Sequence, residues 1–359
     1  MRAGYGGKTR DFFTTQTNPK QLIDFAGVKI FENATVDTNI LIFSKAKNEK
    51  QTLCAVTDKL NKDNIKELSS YVQCSHSICN FSTSDSWVIL SPIEQSIKRK
   101  IELVGTPLKE WDIQINYGIK TGFNDAFIIS TEKRNEILAN CLTDEERKRT
   151  DKLIHPLLRG RDIKKYSYDW ANLWLINIHN GVKGIRPRID INEYLTIKSY
   201  LGQYWDKLSK RADKGDTPYN LRNCAYVDDF CKPKIIFQEI VQESQFLLDE
   251  NNGFFCNDTG RIIVGEHLYH LLGVLNSDLF FFAVKHFYGG GTLGENGVRM
   301  KHTFFENFPC MSYDVEIERM AEKLTTSYNQ TIYEQLNDYI CEKYGLTDEE
   351  KAYIRNGLH

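Results

Sequence analysis

Residues 40–43 read Ile-Leu-Ile-Phe, four apolar side chains in a row with no polar alternation. Successive side chains of a strand point to opposite sides, so a run of this kind is what a sheet covered on both faces demands. The run closes the stretch KIFENATVDTNILIFSK (29–45), which has the form of a strand, a short polar turn and a second strand, with Phe31 at the end of the first. The residues ahead of it offer little to cover two faces: a glycine-rich, polar start, a short helix over 8–15 and a β-rich run over 21–31. The strand therefore calls for sheet neighbours that the preceding sequence does not provide, and an orphan strand edge seeks a partner.

Capping and periodicity organise the rest. A strand is expected over 52–60. Ser91-Pro92-Ile93-Glu94 combines capping-box spacing with proline at the first helical position, and Ile93, Ile97 and Ile101 recur on one face. A helix is thus expected over 92–104, stopped by Gly105 and Pro107. From 107 to 312 aromatics interleave with Lys and Arg, and strand-like pieces alternate with helix candidates. The longest candidate, 191–213, places Tyr194, Ile197, Leu201 and Leu208 on an apolar face and ends in a basic outer turn. Beyond 313 the chain turns helical, with a second capping box at Thr347 to Glu350 and Gly357 as a stop. The expected fold class is α+β in four parts: 1–90, a connector helix at 91–106, a mixed α/β region over 107–312, and a helical segment over 313–359.

Net charge is −2 over 359 residues, which excludes a uniformly basic nucleic-acid binder. The positive charge is clustered instead. LLRGRDIKKY (157–166) sets Arg159, Arg161, Lys164 and Lys165 around a glycine. VKGIRPR (182–188) adds Lys183, Arg186 and Arg188, and the span 207–226 adds Lys207, Lys210, Arg211, Lys214 and Arg222 beside Tyr219, Asn220 and Asn223. Arginine suits phosphate oxygens and guanine edges, and asparagine suits adenine edges. One such cluster is more often a solvated face; three between 157 and 226, each with aromatics and asparagines nearby, point to nucleic acid. In GIKTGF (118–123) two glycines bracket Lys120 and Thr121, a turn that lets backbone and a cation approach phosphate.

Other chemistries find less support. YGGGTLGENG (288–297) contains G-x-G-x-x-G without the strand, helix and acidic partner of a dinucleotide site, and is expected to be a mobile surface loop ahead of Arg299 and Lys301. DDFCKPKIIFQEI (228–240) lacks the Glu-x-Lys step of a metal nuclease. The nine cysteines are scattered with no C-x-x-C pair, and Cys74-Ser-His76-Ser-Ile-Cys79 has no fourth ligand nearby, so no metal is expected. No apolar run is long enough for a membrane span, and a cytoplasmic protein is expected.

The ordered series YGIKTGFNDAFIIS, IHPLLRGRDIKKY, WLINIHNG, RADKGDTPYNLRNCAY, KPKIIFQEI and LLGVLNSDLFFF, running from about 107 to 345, resembles the TaqI-like C-terminal specificity domain of gamma-type adenine-N6 DNA methyltransferases and of fused type IIG restriction–modification enzymes. The first residues, through ILIFSK, resemble the last part of that family's catalytic domain, a helix and strand leading to a final antiparallel hairpin. The resemblance implies that Phe31 stacks on a target adenine rotated out of the duplex, where an aromatic face stabilises the extruded base by about 1–3 kcal/mol. It also implies S-adenosylmethionine as cofactor of the complete enzyme. The family's glycine-rich cofactor loop and Asn-Pro-Pro-aromatic motif do not occur here; the single Asn-Pro is Asn18-Pro19, followed by Lys20 and Gln21.

The chain is therefore expected to be the back end of a longer enzyme, a shortened gene or one half of a split system, inactive in methyl transfer alone. Its partners are expected to be double-stranded DNA and a missing catalytic or endonuclease half. Expected DNA contacts are Lys120, Thr121, Arg159, Arg161, Lys164, Arg186, Arg188, Arg211, Tyr219, Asn220, Arg222 and Asn223. The alternative is a protein-interaction module that docks on a separate methyltransferase or nuclease subunit. Burial of Arg159 and Arg161 in ion pairs, with no basic cleft, would favour it.

Overall fold

The structure, a computed structural model, describes residues 6–25, 28, 30–31, 38–57, 66–85, 87–288, 292–293 and 297–358. The fold is α+β, and the chain divides into two compact units, Met1–Leu103 and Val104–His359.

In the first unit, helix α1 (Gly7–Gln16) leads into β1 (Asn18–Asp24), followed by β2 (Asn39–Ser44), β3 (Thr52–Val56), α2 (Leu68–Cys74), β4 (Ser77–Cys79) and α3 (Pro92–Val104). The sheet order is β2-β1-β3-β4, with β1 and β3 parallel and the other pairs antiparallel. The capping box of α3 forms as its spacing requires: Ser91 N–H donates to Glu94 Oε2 at 2.7 Å, and Glu94 N–H to Ser91 Oγ at 3.4 Å. Ile97 and Ile101 are buried on its inner face.

Ile40 to Phe43 do not find the two-sided cover that such a run calls for. β2 is an outer strand, paired on one edge alone, and Ile40, Ile42 and Phe43 stay 39%, 49% and 48% exposed. Leu41 packs on the small core of Leu22, Cys54, Cys79, Phe81 and Trp87, and Phe43 touches Phe13 edge-on at 4.8 Å. An apolar run signals a two-sided strand where elements exist to cover it, and among the described residues of this unit they do not. Much of the expected hairpin turn, including 29 and 32–37, lies outside the described residues; Phe31 sits in a bend, 54% exposed.

The second unit contains two four-stranded sheets. Its elements are β5 (Ile113–Tyr117), β6 (Ile128–Ser130), α4 (Thr131–Ala139), α5 (Asp144–Leu153), β7 (Ile154–Leu158), β8 (Leu173–Ile176), α6 (Leu195–Gly202), α7 (Trp205–Leu208), β9 (Lys234–Gln238), β10 (Phe246–Asp249), β11 (Phe255–Cys256), β12 (Gly260–Gly265), α8 (Leu268–Leu275) and α9 (Asp278–Ala283). Three C-terminal helices follow: α10 (Val315–Thr326), α11 (Gln330–Lys343) and α12 (Asp348–Asn356). One sheet has the order β11-β7-β8-β6, the other β10-β9-β12-β5. A continuous core runs between them, from Ile129, Leu157 and Leu175 to Ile236, Leu247 and Ile262, with Ile197, Leu201 and Leu208 of the helical segment packed in.

At the edge of this core, Lys234 and Asp249 face each other across β9 and β10 in a fully buried ion pair at 2.7 Å. The last helix opens with its capping box between Thr347 and Glu350, at 2.8 and 3.3 Å. The glycine-rich stretch at 289–291 and 294–296 lies outside the described residues.

The single helix expected over 191–213 is instead broken. α6 tightens at Gly202, where Gln203 and Tyr204 N–H donate three residues back, to the Tyr200 and Leu201 carbonyls at 3.2 and 3.0 Å, and α7 ends at Leu208. The apolar positions are buried as expected, but Arg211, expected on a basic outer turn, points inward and is 7% exposed.

Histidine makes this unit sensitive to acid. Burial, with His179 nearby, pushes His155 from 6.5 down to about 4, and its ring stacks on Phe255 at 4.3 Å. Burial also lowers His179, His270 and His302. A neutral histidine in the native state opposes protonation, so stability is fully present above about pH 6.5 and falls as pH drops toward 4. Thermal melts at pH 7 and pH 5 should show a lower midpoint at pH 5, and His155→Phe, which keeps the stack, should shrink the difference.

Candidate nucleic-acid interface

Arg211 joins three loops that are far apart in sequence. Its guanidinium donates to the backbone carbonyls of Thr121, Asp213, Pro218 and Asn220, and lies 4.6 Å over the Phe127 ring. Burial lowers it to about 10, which leaves it charged at neutral pH. The fixed fork of five donors is what lets one side chain hold several acceptors. Gly122 takes φ +67° against the Asp213 carbonyl, where a Cβ would collide.

Asn220 performs the same task on the other side. Its amide donates to His179 and Ile189 carbonyls at 3.3 and 3.0 Å and accepts from the Thr217 hydroxyl at 2.5 Å. Leu221 N–H bonds the Ile178 carbonyl at 2.8 Å. The loops 118–123, 178–190 and 209–223 thus form one surface.

That surface carries a tight turn. Ile185 and Arg186 N–H both donate to the Val182 carbonyl, at 3.0 and 2.9 Å, with Gly184 at φ +78° in the position where a type II turn needs glycine. The turn and its flank line a pocket of about 600 Å³ with Asn180, Lys183, Arg186, Arg188, Asp216 and Asn223. Each arginine of the surface has an aspartate beside it: Arg186 with Asp228, Arg188 with Asp216 at 3.6 Å, and Arg222 with Asp213 at 3.1 Å. Asn180 links the group, donating to Asp216 at 3.1 Å and to Asn223 Oδ1, and accepting from Asp216 N–H at 2.9 Å.

The cluster around Gly160 lies elsewhere. β7 and β8 are antiparallel, with Leu157 opposite Leu173 and Ile154 opposite Ile176. Arg159 therefore leaves the sheet at one end and the 178–190 loop at the other. Arg159 donates from Nε and Nη2 to the buried Asp162 carboxylate at 3.0 and 2.8 Å, and from its backbone N–H at 2.8 Å, which raises its pKa. Arg161 is exposed, and among the described residues no carboxylate lies within ion-pair reach of it. Lys164 donates to the Arg161 carbonyl at 3.2 Å and is 4.0 Å from Asp169. Lys165 bonds the Tyr333 hydroxyl at 2.8 Å, pinning α11 to this cluster.

Three expected DNA contacts are thus buried and engaged within the fold: Thr121, Arg211 and Asn220. The Thr121 hydroxyl donates to Asn124 at 2.5 Å, and its carbonyl holds Arg211. These three position the surface. Tyr219 is half-buried against Trp205, ring centroids 5.3 Å apart. The structure brings Arg186, Arg188 and Asn223 together in the pocket, with Arg222 next in the chain, and leaves Lys120 exposed. What sequence reasoning missed is the acidic and amide half of the site: Asn180, Asp213, Asp216 and Asp228. The aspartates of RADKGD (211–216) were visible beside the basic residues.

Neither the glycine-rich turn nor the Asn-Pro-Pro-aromatic motif that would hold S-adenosylmethionine occurs in the chain, and β1–β3 is the one parallel pair among the described strands of the first unit. No helix among the described residues is long and apolar enough to cross a membrane.

Residues 155–309 match the family model of the TaqI-like C-terminal specificity domain. No curated protein matches the chain. Among solved structures it is similar to the type IIL restriction-modification enzyme MmeI, solved in complex with DNA, at 12% identity and a TM-score of 0.55, over 96% of this chain and 46% of that one. It is also similar to the type IIG restriction endonuclease BpuSI, at 12% identity and a TM-score of 0.39, with the same coverage of 96% and 46%. The chain spans about half the length of these solved relatives.

Proposed function

We propose, for a chain whose residues 155–309 form a TaqI-like C-terminal specificity domain, that its second unit recognises duplex DNA on behalf of a restriction–modification enzyme. The observation that carries this function is the convergence of Arg186, Arg188 and Asn223 on one pocket, built on loops held by the buried Arg211. Planar forks and amides on a preorganised surface suit base edges. The similarity to MmeI, solved with DNA, supports the same assignment. The modified base is proposed to be adenine at N6, with Phe31 stacking on it once a catalytic half holding S-adenosylmethionine is present. The large exposed ring of Phe31 supports that role.

The surface cations Lys120, Arg161, Lys183 and Lys210, without a carboxylate partner among the described residues, are the natural phosphate contacts. Four such contacts imply that duplex affinity falls about a hundredfold between roughly 50 and 200 mM salt. Arg161→Ala should weaken binding to all duplexes alike and reduce the log–log salt slope by about one, read by fluorescence anisotropy. Affinity that ignores salt would sink the phosphate assignment. Incubation with DNA and labelled S-adenosylmethionine should give no methyl incorporation from this chain alone.

A second reading, docking on a separate subunit, is favoured by the open edge and exposed apolar side chains of β2. It concerns the first unit and is compatible with DNA recognition by the second. Arg159 is ion-paired as the docking alternative requires, but Arg161 is free of carboxylates among the described residues and a basic pocket exists.

A further inference from the structure

The pocket arginines are not arranged as phosphate ligands. Arg186 has Asp228 at its side and Arg188 has Asp216, all four side chains partly exposed. A phosphate drawn to either guanidinium would meet a carboxylate of its own sign a few ångströms away, and the attraction would largely cancel. A neutral base edge suffers no such repulsion. An arginine beside an aspartate presents donors and an acceptor side by side, the complement of a G·C pair in the major groove: guanine O6 and N7 accept, and cytosine N4 donates. An A·T pair cannot match it, because the adenine amino group faces the second guanidinium donor. Asp228 accepts a hydrogen bond from Arg186, and Asp216 lies 3.6 Å from Arg188, which biases each fork before DNA arrives. Asp216 is itself fixed by Asn180, which accepts from its N–H at 2.9 Å and donates to its carboxylate at 3.1 Å.

We propose that Arg186 and Arg188, oriented by Asp228 and Asp216, are specificity-determining residues that read guanines of G·C pairs in the target, while the unpaired lysines and Arg161 hold the phosphates. The proposal rests on DNA recognition by this unit and adds the division of labour and the bases read.

The test uses the full chain and a randomised duplex library, with sequencing of the bound fraction and anisotropy on the winning and scrambled duplexes. The bound pool should show fixed guanines, each favoured roughly tenfold or more over other bases. Arg188→Lys should erase one fixed guanine and lower affinity for the winning duplex roughly tenfold, because the charge remains but the fork is lost. Asp216→Asn should erase the same guanine, strengthen scrambled-duplex binding and steepen the salt slope by about one, since an arginine is released to phosphate. Both positions are at the surface, and unchanged melting midpoints would show that the variants fold. A bound pool without fixed guanines, or an Asp216→Asn variant that keeps both its preference and its salt slope, overturns the proposal while leaving DNA recognition standing. Absence of any duplex binding by the intact chain overturns both.

Discussion

Replacing Arg211 by methionine should destabilise the second unit by about 3 kcal/mol and abolish duplex binding, although Arg211 itself need not touch DNA. The substitution leaves the carbonyls of Thr121, Asp213, Pro218 and Asn220 without their shared donor in a place water reaches poorly. Each buried acceptor left alone costs about 1–3 kcal/mol, and the four are coupled, so the total falls well below their sum. Arg211→Lys should recover part of the loss, because an ammonium keeps the charge but cannot span four acceptors with one plane. Arg222→Ala, which breaks an exposed pair with Asp213, should change stability by less than about 0.5 kcal/mol. Urea unfolding with an unchanged m-value would measure all three. An Arg211→Met variant as stable as the parent would show that the loops hold together without the clamp.

Lys234→Met should be the more damaging change to stability, by about 3–5 kcal/mol, because it leaves the Asp249 carboxylate buried and unpaired. Both side chains are 1% exposed and 2.7 Å apart. Asp249 has further work, accepting from the N–H groups of Asn252 and Phe254 at 2.9 and 2.8 Å, so it also shapes the turn after β10. Adding Asp249→Asn to Lys234→Met should therefore restore part of the stability: the amide oxygen can keep accepting from one of the two turn N–H groups while the orphan charge is gone. A double mutant with the summed loss of the two singles would mean that the pair does not act as a unit.

Local signals proved legible where their causes are local. The capping boxes at Ser91 and Thr347 set helix starts within a few residues of chain, and both form as their spacing requires. The apolar run of KIIFQ became a buried strand, as two flanking strands in one sheet allow. The failures share a non-local cause. Whether Ile42 is covered depends on elements outside its own strand. Whether Arg211 faces solvent depends on four carbonyls that converge only after Gly122 and Asn220 are in place. Basic residues could be listed from composition, but their aspartate partners emerge from pairing across 42 residues for Arg186 and Asp228. The candidate site was thus visible as an inventory of cations and invisible as a circuit.

The antiparallel run of β7 and β8 sets a ruler for the target. It sends Arg161 and the 182–188 turn out at opposite ends of a strand pair that advances about 14 Å over β7. At about 3.4 Å per base step along one DNA strand, that is the length of roughly four steps before either loop reaches outward. In the proposed complex the informative base positions gather under the 182–188 turn, and the interval toward Arg161 is held through phosphate, where sequence is not read.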